Sequence, residues 1–369
     1  MFIKKFLLTS GSVIFALLLA EGAARFILDP VDYLKPRKVD DKVLGFKLIP
    51  DSGGHDRWGY RNKSVPDKSD IVAIGDSHTY GISAKASDSW PAALENISGK
   101  ETYNMSLPGY GPVQYYQLLK TKAFELKPST IVAALYLGND ILDVYNIVYN
   151  NENWSHLRKA GFKSWEIAKK KKKDRNSYKY KLRHFLPGNS VIYRIISSSV
   201  IGDELRQLRR LYEGEKIIMY EDKQYNIQTG FMPAVRLKAL NLKIPRVREG
   251  LRISLDLIDR MSELCRERST DFLVLLLPTK ESVYADFIEN NPSLPDSELI
   301  DELLKNENEV RGLVLKHLTN NKISYVNALD ALRNRTRYEQ LYPTNFGTHS
   351  NKNGYKIIAG SVARNLSKN

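Results

Sequence analysis

The chain has 369 residues, 42% of them hydrophobic, enough apolar material for one large core or two ordinary ones. Its formal net charge of +14 invites a nucleic-acid reading, but much of the excess is concentrated between Arg158 and Arg183, with the run Lys169 to Lys173 at its centre. A single cysteine, Cys265, excludes an intramolecular disulfide framework and a cysteine-based zinc site.

In chain order, Lys4 and Lys5 precede an apolar stretch from Phe6 to Ala20. Positive residues stay on the cytoplasmic side, so the rest of the chain is expected outside the cytoplasm, facing the periplasm or the extracellular side. That placement argues against nucleic acid as a partner. The apolar core is shorter than the roughly 20 residues a spanning helix prefers. A cleaved signal peptide, with Gly22 and Ala24 as the small residues before a cut that would leave a secreted protein, therefore competes with an anchor. The run continues into Phe26-Ile27-Leu28, and Glu21 and Arg25 lie one helical turn apart, where they can pair. Both features favour an uncleaved signal-anchor over residues 1–29. No cysteine follows the segment, which excludes lipoprotein processing. Residues 30–68, rich in Pro, Gly, Asp and Lys, read as an extended connector that wraps the domain.

Residues 69–369 carry the regular pattern. Apolar runs at Asp70–Ile74, Thr102–Met105, Thr130–Leu137 and Phe272–Leu277, with a weaker one at Ile323–Val326, predict strands, the first of them as expected for a strand buried on both faces. Helical periodicity separates them at Trp90–Ile97, Val113–Phe124, Val247–Arg268 and Ile300–Leu318, and again after Tyr355. This alternation predicts an α/β fold, a parallel sheet with helices on both faces. Residues 145–245 break the rhythm and read as a basic, largely helical insertion. Its lysine run is either a solvated face or a contact for anionic lipid heads or an acidic polymer.

In a parallel sheet the loops after the strand C-termini gather at one edge, where ligands bind. Gly75-Asp76-Ser77-His78 follows the first predicted strand, Asn104 to Gly111 the second, and Gly138-Asn139-Asp140 the third. His349 lies in the last loop, between Gly347 and Gly354. Acyl transfer needs these types. A serine hydroxyl is a poor nucleophile until an imidazole takes its proton, and the tetrahedral intermediate needs fixed N–H donors for its oxyanion. Ser77 sits where a strand turns into a helix, so its N–H faces outward at a positive helix end. Gly109 can bring a bare backbone N–H close, and the Asn139 amide is a third donor. No metal site or phosphate loop is read in the chain, and no cofactor is expected.

These four blocks, in this order, resemble the SGNH (GDSL-type) hydrolase superfamily. The resemblance implies a flavodoxin-like three-layer α/β/α sandwich. It also implies Ser77 as nucleophile and first oxyanion donor, Gly109 and Asn139 as the other donors, and His349 as general base. Trp58 to Asn62 and Pro278-Thr279-Lys280-Glu281 look like membrane-tethered bacterial members, often associated with modification of surface polysaccharide. One departure stands out. The family commonly places an aspartate two or three residues before the histidine, and here those positions are Gly347 and Phe346. A Ser–His dyad, an acid recruited from Asp76, Asp140 or Asp143, or a weakened enzyme all fit.

The expected function is serine-dependent hydrolysis of an ester, a deacetylation on an envelope or extracellular glycan. O-acetyl transfer onto a surface polysaccharide by the same residues is the alternative, as is a non-catalytic binder of polysaccharide or membrane.

Overall fold

All five apolar runs form strands: β1 Ile71–Gly75, β2 Thr102–Ser106, β3 Thr130–Tyr136, β4 Asp271–Leu277 and β5 Ser324–Asn327. The structure is a computed structural model that describes residues 2–162, 175, 177–212, 216–289, 291 and 293–367. The strands pair in the order β2-β1-β3-β4-β5, all parallel, which is the flavodoxin-like order 2-1-3-4-5.

The helices used below are α1 Phe2–Ile27, α2 Trp90–Ser98, α3 Pro112–Thr121, α4 Asp140–Asn150 and α5 Tyr178–Asn189, then α6 Val191–Ser197, α7 Val200–Tyr212, α8 Pro245–Glu267, α9 Ser297–Asn320 and α10 Lys352–Leu366.

Successive strand residues point to opposite faces, so β1, β3 and β4 each feed two cores. Ile71, Ala73, Val132, Ala134, Leu273 and Leu275 pack with Trp90 and Leu94 of α2 and Tyr355, Ile358 and Val362 of α10. Val72, Ile74, Ile131, Ala133, Val274 and Leu276 pack with Leu118 of α3 and with Val247, Leu251, Ile258 and Met261 of α8. The α8 residues recur at helical spacing, which puts one continuous apolar stripe against the sheet. The result is three layers, α/β/α. Leu275, on a central strand, is fully buried. Leu275→Ala is expected to cost roughly 2–5 kcal/mol, seen as a lower urea midpoint at unchanged m-value.

The segment read as an extended connector is more structured than its composition suggests. After a short helix, Pro30–Tyr33, it forms the antiparallel hairpin Lys38–Asp41/Gly45–Leu48. Trp58 to Asn62 then brace the sheet edge. Arg61 is buried, pairs with Asp32 at 3.0 Å, and donates to the carbonyls of Tyr80, Gly81 and Ala84. Asn62 exchanges hydrogen bonds with the backbone of Asn104 in β2. His55, which reads as a surface residue in sequence, is instead buried against the Tyr80 hydroxyl at 2.8 Å.

The region 145–245 carries α5, α6 and α7, but also an antiparallel hairpin, Ile218–Asp222/Ile227–Phe231, that its sequence pattern did not announce. Two strands of five residues have little periodicity to read. Their stability comes from distant neighbours, such as Phe231 against Tyr284. Lys169 to Lys173 lie outside the described residues.

Candidate active site

Ser77 opens the four-residue helix Ser77–Tyr80 directly after β1. Asp76 caps that helix, accepting from the His78 N–H at 2.8 Å, and Gly81 ends it in the left-handed conformation. Tyr80 and Gly81 are the residues whose carbonyls Arg61 holds, so the turn that carries Ser77 is clamped from behind.

His349 comes from the loop before α10. Its Nε2 lies 2.7 Å from Ser77 Oγ, across 272 residues of sequence. This is hydrogen-bond geometry suited to proton transfer. The Ser77 hydroxyl also lies 3.3 Å from Asp76 Oδ2, a longer and weaker contact. Ser77 remains half-buried, open to a substrate, while Asp76 is fully buried.

Gly109 and Asn139 lie after β2 and β3, the two strands that flank β1. Gly109 has φ of +91°, a conformation that disfavours any side chain. Its N–H has no hydrogen-bond partner among the described residues. Gly109→Ala is expected to lower kcat on an ester substrate by about tenfold, because the loop relaxes from a φ that costs a side chain roughly 1–2 kcal/mol and carries the Gly109 N–H out of position. Steady-state kinetics would show it, with KM changing less. Asn139 donates one Nδ2 proton to Asp143 Oδ2 at 2.7 Å, which leaves its second proton for a ligand. Gly138 is required by close approach: a Cβ there would sit 2.4 Å from the Tyr136 ring.

None of the three carboxylates considered as supporting acids hydrogen-bonds the imidazole. Asp140 is buried beneath its loop, where Oδ2 accepts from the Tyr136 N–H at 2.9 Å and the Tyr115 hydroxyl at 3.1 Å. Asp143 holds Asn139. Burial raises Asp76 to about 6, with the nearby Asp143 charge adding to it and the His78 and Ser77 hydrogen bonds opposing it. Burial and the Asp76 charge push Asp140 well above the carboxylate range.

His349 instead faces cations. Burial lowers its pKa to about 3, and Arg236 and Lys280 lower it further in the same direction. Arg236, on the helix Pro233–Leu240, donates to the Gly138 carbonyl at 3.3 Å and to Thr348 Oγ1 at 3.0 Å. It thus ties the loop after β3 to the histidine loop. Lys280, fully buried just after β4, donates from Nζ to the Gly347 carbonyl at 2.8 Å, the Thr229 hydroxyl at 3.0 Å and the Asn345 carbonyl at 3.4 Å. The unannounced hairpin completes this clamp: Gly230 N–H donates to the Asn345 carbonyl at 3.1 Å. Where an aspartate would stand, the loop is gripped through its backbone.

Sequence reading missed Arg236 and Thr229 altogether, since nothing local marks either. Lys280 was visible only as part of the Pro278-Thr279-Lys280-Glu281 block. The buried His78 ring packs 3.8 Å from Tyr136 and 4.5 Å from His349, centroid to centroid.

Fold and site together define a class: a doubly wound α/β protein with a Ser–His pair and neighbouring N–H donors at the carboxyl edge of its sheet. Among solved structures, the chain is similar to one described as a lipolytic protein of the G-D-S-L family from Desulfitobacterium hafniense, with 14% identity, 82% of this chain and 100% of that chain covered, and a TM-score of 0.39. It is also similar to a GDSL-like lipase from Bacteroides thetaiotaomicron, with 11% identity, 81% and 87% covered, and a TM-score of 0.37. A third is an acetylxylan esterase from Geobacillus stearothermophilus, with 10% identity, 82% and 95% covered, and a TM-score of 0.38. No protein-family profile matches the sequence, and no curated protein matches it.

Proposed function

We propose that the protein is a serine esterase working through an acyl-enzyme on Ser77. The observation that carries this reading is the 2.7 Å contact between His349 Nε2 and Ser77 Oγ, made by residues from opposite ends of the domain. Ser77 Oγ attacks the acyl carbonyl as its proton passes to Nε2. The oxyanion that forms is held by the N–H groups of Ser77 and Gly109 and the free amide proton of Asn139. Collapse expels the alcohol, which takes the proton from Nε2, and water then repeats the sequence to release the acid. His349 has to be neutral to act, and its lowered pKa keeps it so at neutral and mildly acidic pH.

Location supports the reading of the substrate. One helix near the N-terminus, Lys4–Ile27, is long and apolar enough to cross a membrane. Retention of that helix as an anchor is supported by its docked end, where Glu21 accepts from the N–H groups of Val191 and Ile192 at 2.9 and 3.1 Å. We read the substrate as an O-acetylated glycan outside the cytoplasm; transfer to a sugar hydroxyl instead of water would use the same acyl-enzyme. The deciding experiment is labelling of the protein with a serine-directed phosphonate, located by mass spectrometry. Adduct on Ser77, absent in His349→Ala, is the expected result. No adduct at Ser77 in the native protein would overturn the reading.

A further inference from the structure

The end of α1 does not leave the domain freely. The Glu21 carboxylate caps the N-terminus of α6, taking the Ser190 hydroxyl at 2.9 Å as well as the Val191 and Ile192 amides. Ala24 packs with Val191 and Leu34, and Arg25 pairs with Glu21 at 2.7 Å while donating to the Asn189 carbonyl. Before this point the apolar side chains of α1, from Phe6 to Leu19, are exposed. The helix therefore enters its apolar surroundings at the site where α5 and α6 meet.

Those helices expose apolar surface of their own. On α5, Leu182, Phe185 and Leu186 lie at one helical face and are 61%, 60% and 50% exposed. Ile196 of α6 and Leu205 and Leu208 of α7 are each 60% exposed or more. Lys179, Lys181 and Arg183 are exposed on α5, and helical spacing places Lys179 and Lys181 on either side of its apolar stripe. An apolar face edged by lysines, on helices joined to the exit of a spanning segment, is the pattern of an interfacial helix. Soluble proteins rarely leave such a patch in water.

We propose that α5, α6 and α7 form a platform that lies in the headgroup layer of an anionic bilayer at the exit of α1. Apolar side chains enter the acyl boundary, and the α5 cations meet lipid phosphates. The inference rests on α1 spanning the membrane and is independent of the chemistry at Ser77.

The test uses the full chain reconstituted in vesicles of phosphatidylcholine with or without phosphatidylglycerol. Nitroxides are attached singly at Leu182→Cys, Leu208→Cys, Val13→Cys and Tyr338→Cys; the native Cys265 is buried. Val13 lies on α1 and reports whether the anchor is inserted, while Tyr338, 77% exposed, reports water. Collisional relaxation by oxygen is compared with that by a water-soluble nickel chelate. Oxygen should dominate at 182 and 208, as at 13, and nickel at 338. With phosphatidylglycerol present, a Lys179→Gln/Lys181→Gln/Arg183→Gln variant should shift 182 toward nickel. Nickel access at 182 and 208 equal to that at 338, with 13 inserted, would overturn the platform and leave the anchor standing. Shielding from both reagents together with dipolar coupling between labels would assign the face to a second copy of the chain and would also overturn it.

Discussion

Ser77→Ala is expected to reduce kcat on a chromogenic acetate by on the order of 10³-fold or more, leaving KM little changed. The reason is that the acyl-enzyme cannot form without Oγ, while the backbone donors that bind the ester remain. His349→Ala should fall nearly as far, and the double variant little further, because the pair acts as one unit. Among the described residues the hydroxyl contacts His349 and, weakly, Asp76, so the fold should tolerate its loss. Circular dichroism and the urea midpoint of Ser77→Ala should match those of the native protein. Activity surviving in Ser77→Ala would move the nucleophile elsewhere.

Lys280→Met is the second large effect, and it has two readouts. The amine holds the histidine loop by the Gly347 and Asn345 carbonyls, so its removal loosens the imidazole. A misplaced base is expected to lower kcat by roughly 10- to 100-fold, with KM affected less. Lys280 also helps hold down the His349 pKa, behind burial and Arg236. The acid limb of kcat/KM should therefore lie below pH 6.5 in the native protein and move upward in Lys280→Met. A limb that stays in place would remove the lysine from this electrostatic role.

The same residue makes stability depend on pH in a definite direction. Burial lowers Lys280 from 10.5 to about 7, with the Glu281 charge resisting. Between those values the unfolded chain binds a proton that the native chain does not. Stability therefore rises with pH in that window, by up to about 1.4 kcal/mol per unit for one site. Below pH 7 both states are protonated and the dependence ends. At lower pH, His349 and His78, both depressed, destabilise the fold as pH falls through 6.5. The raised Asp76 and Asp140 act oppositely, because their native forms keep protons that the unfolded chain releases. Between pH 7.5 and 9 the buried Cys265 thiol, raised from 9.0 to about 12, opposes the lysine in both proteins, so the urea midpoint should climb more steeply, or fall less, in the native protein than in Lys280→Met.

The strands, the sheet edge and the polar motifs at their ends were legible from residues alone. The runs ending at Gly75, Gly138 and Pro278 carry their own signal, because a strand buried on both faces is a continuous apolar run; the weaker run Ile323–Val326 forms an edge strand with Ser324 exposed. Ser77 and His349 stood out by the conjunction of four polar motifs at element boundaries, and the structure brings the two side chains within 2.7 Å. Glu21 and Arg25 were paired from spacing alone, as the structure has them.

What surrounds the imidazole was decided only by tertiary structure. Arg236, Thr229 and Lys280 reach the histidine loop from 113, 120 and 69 residues away in sequence, by subtraction of their numbers from 349. No local pattern marks a side chain whose work is to hold a distant carbonyl. The hairpin carrying Thr229 was hidden for the same reason, since its partners lie outside its own sequence. Which groups would flank His349 in place of an aspartate depended on packing. The answer is two cations and a clamped backbone, because burial among those neighbours, and not the residues beside it in sequence, sets the charge an imidazole can carry.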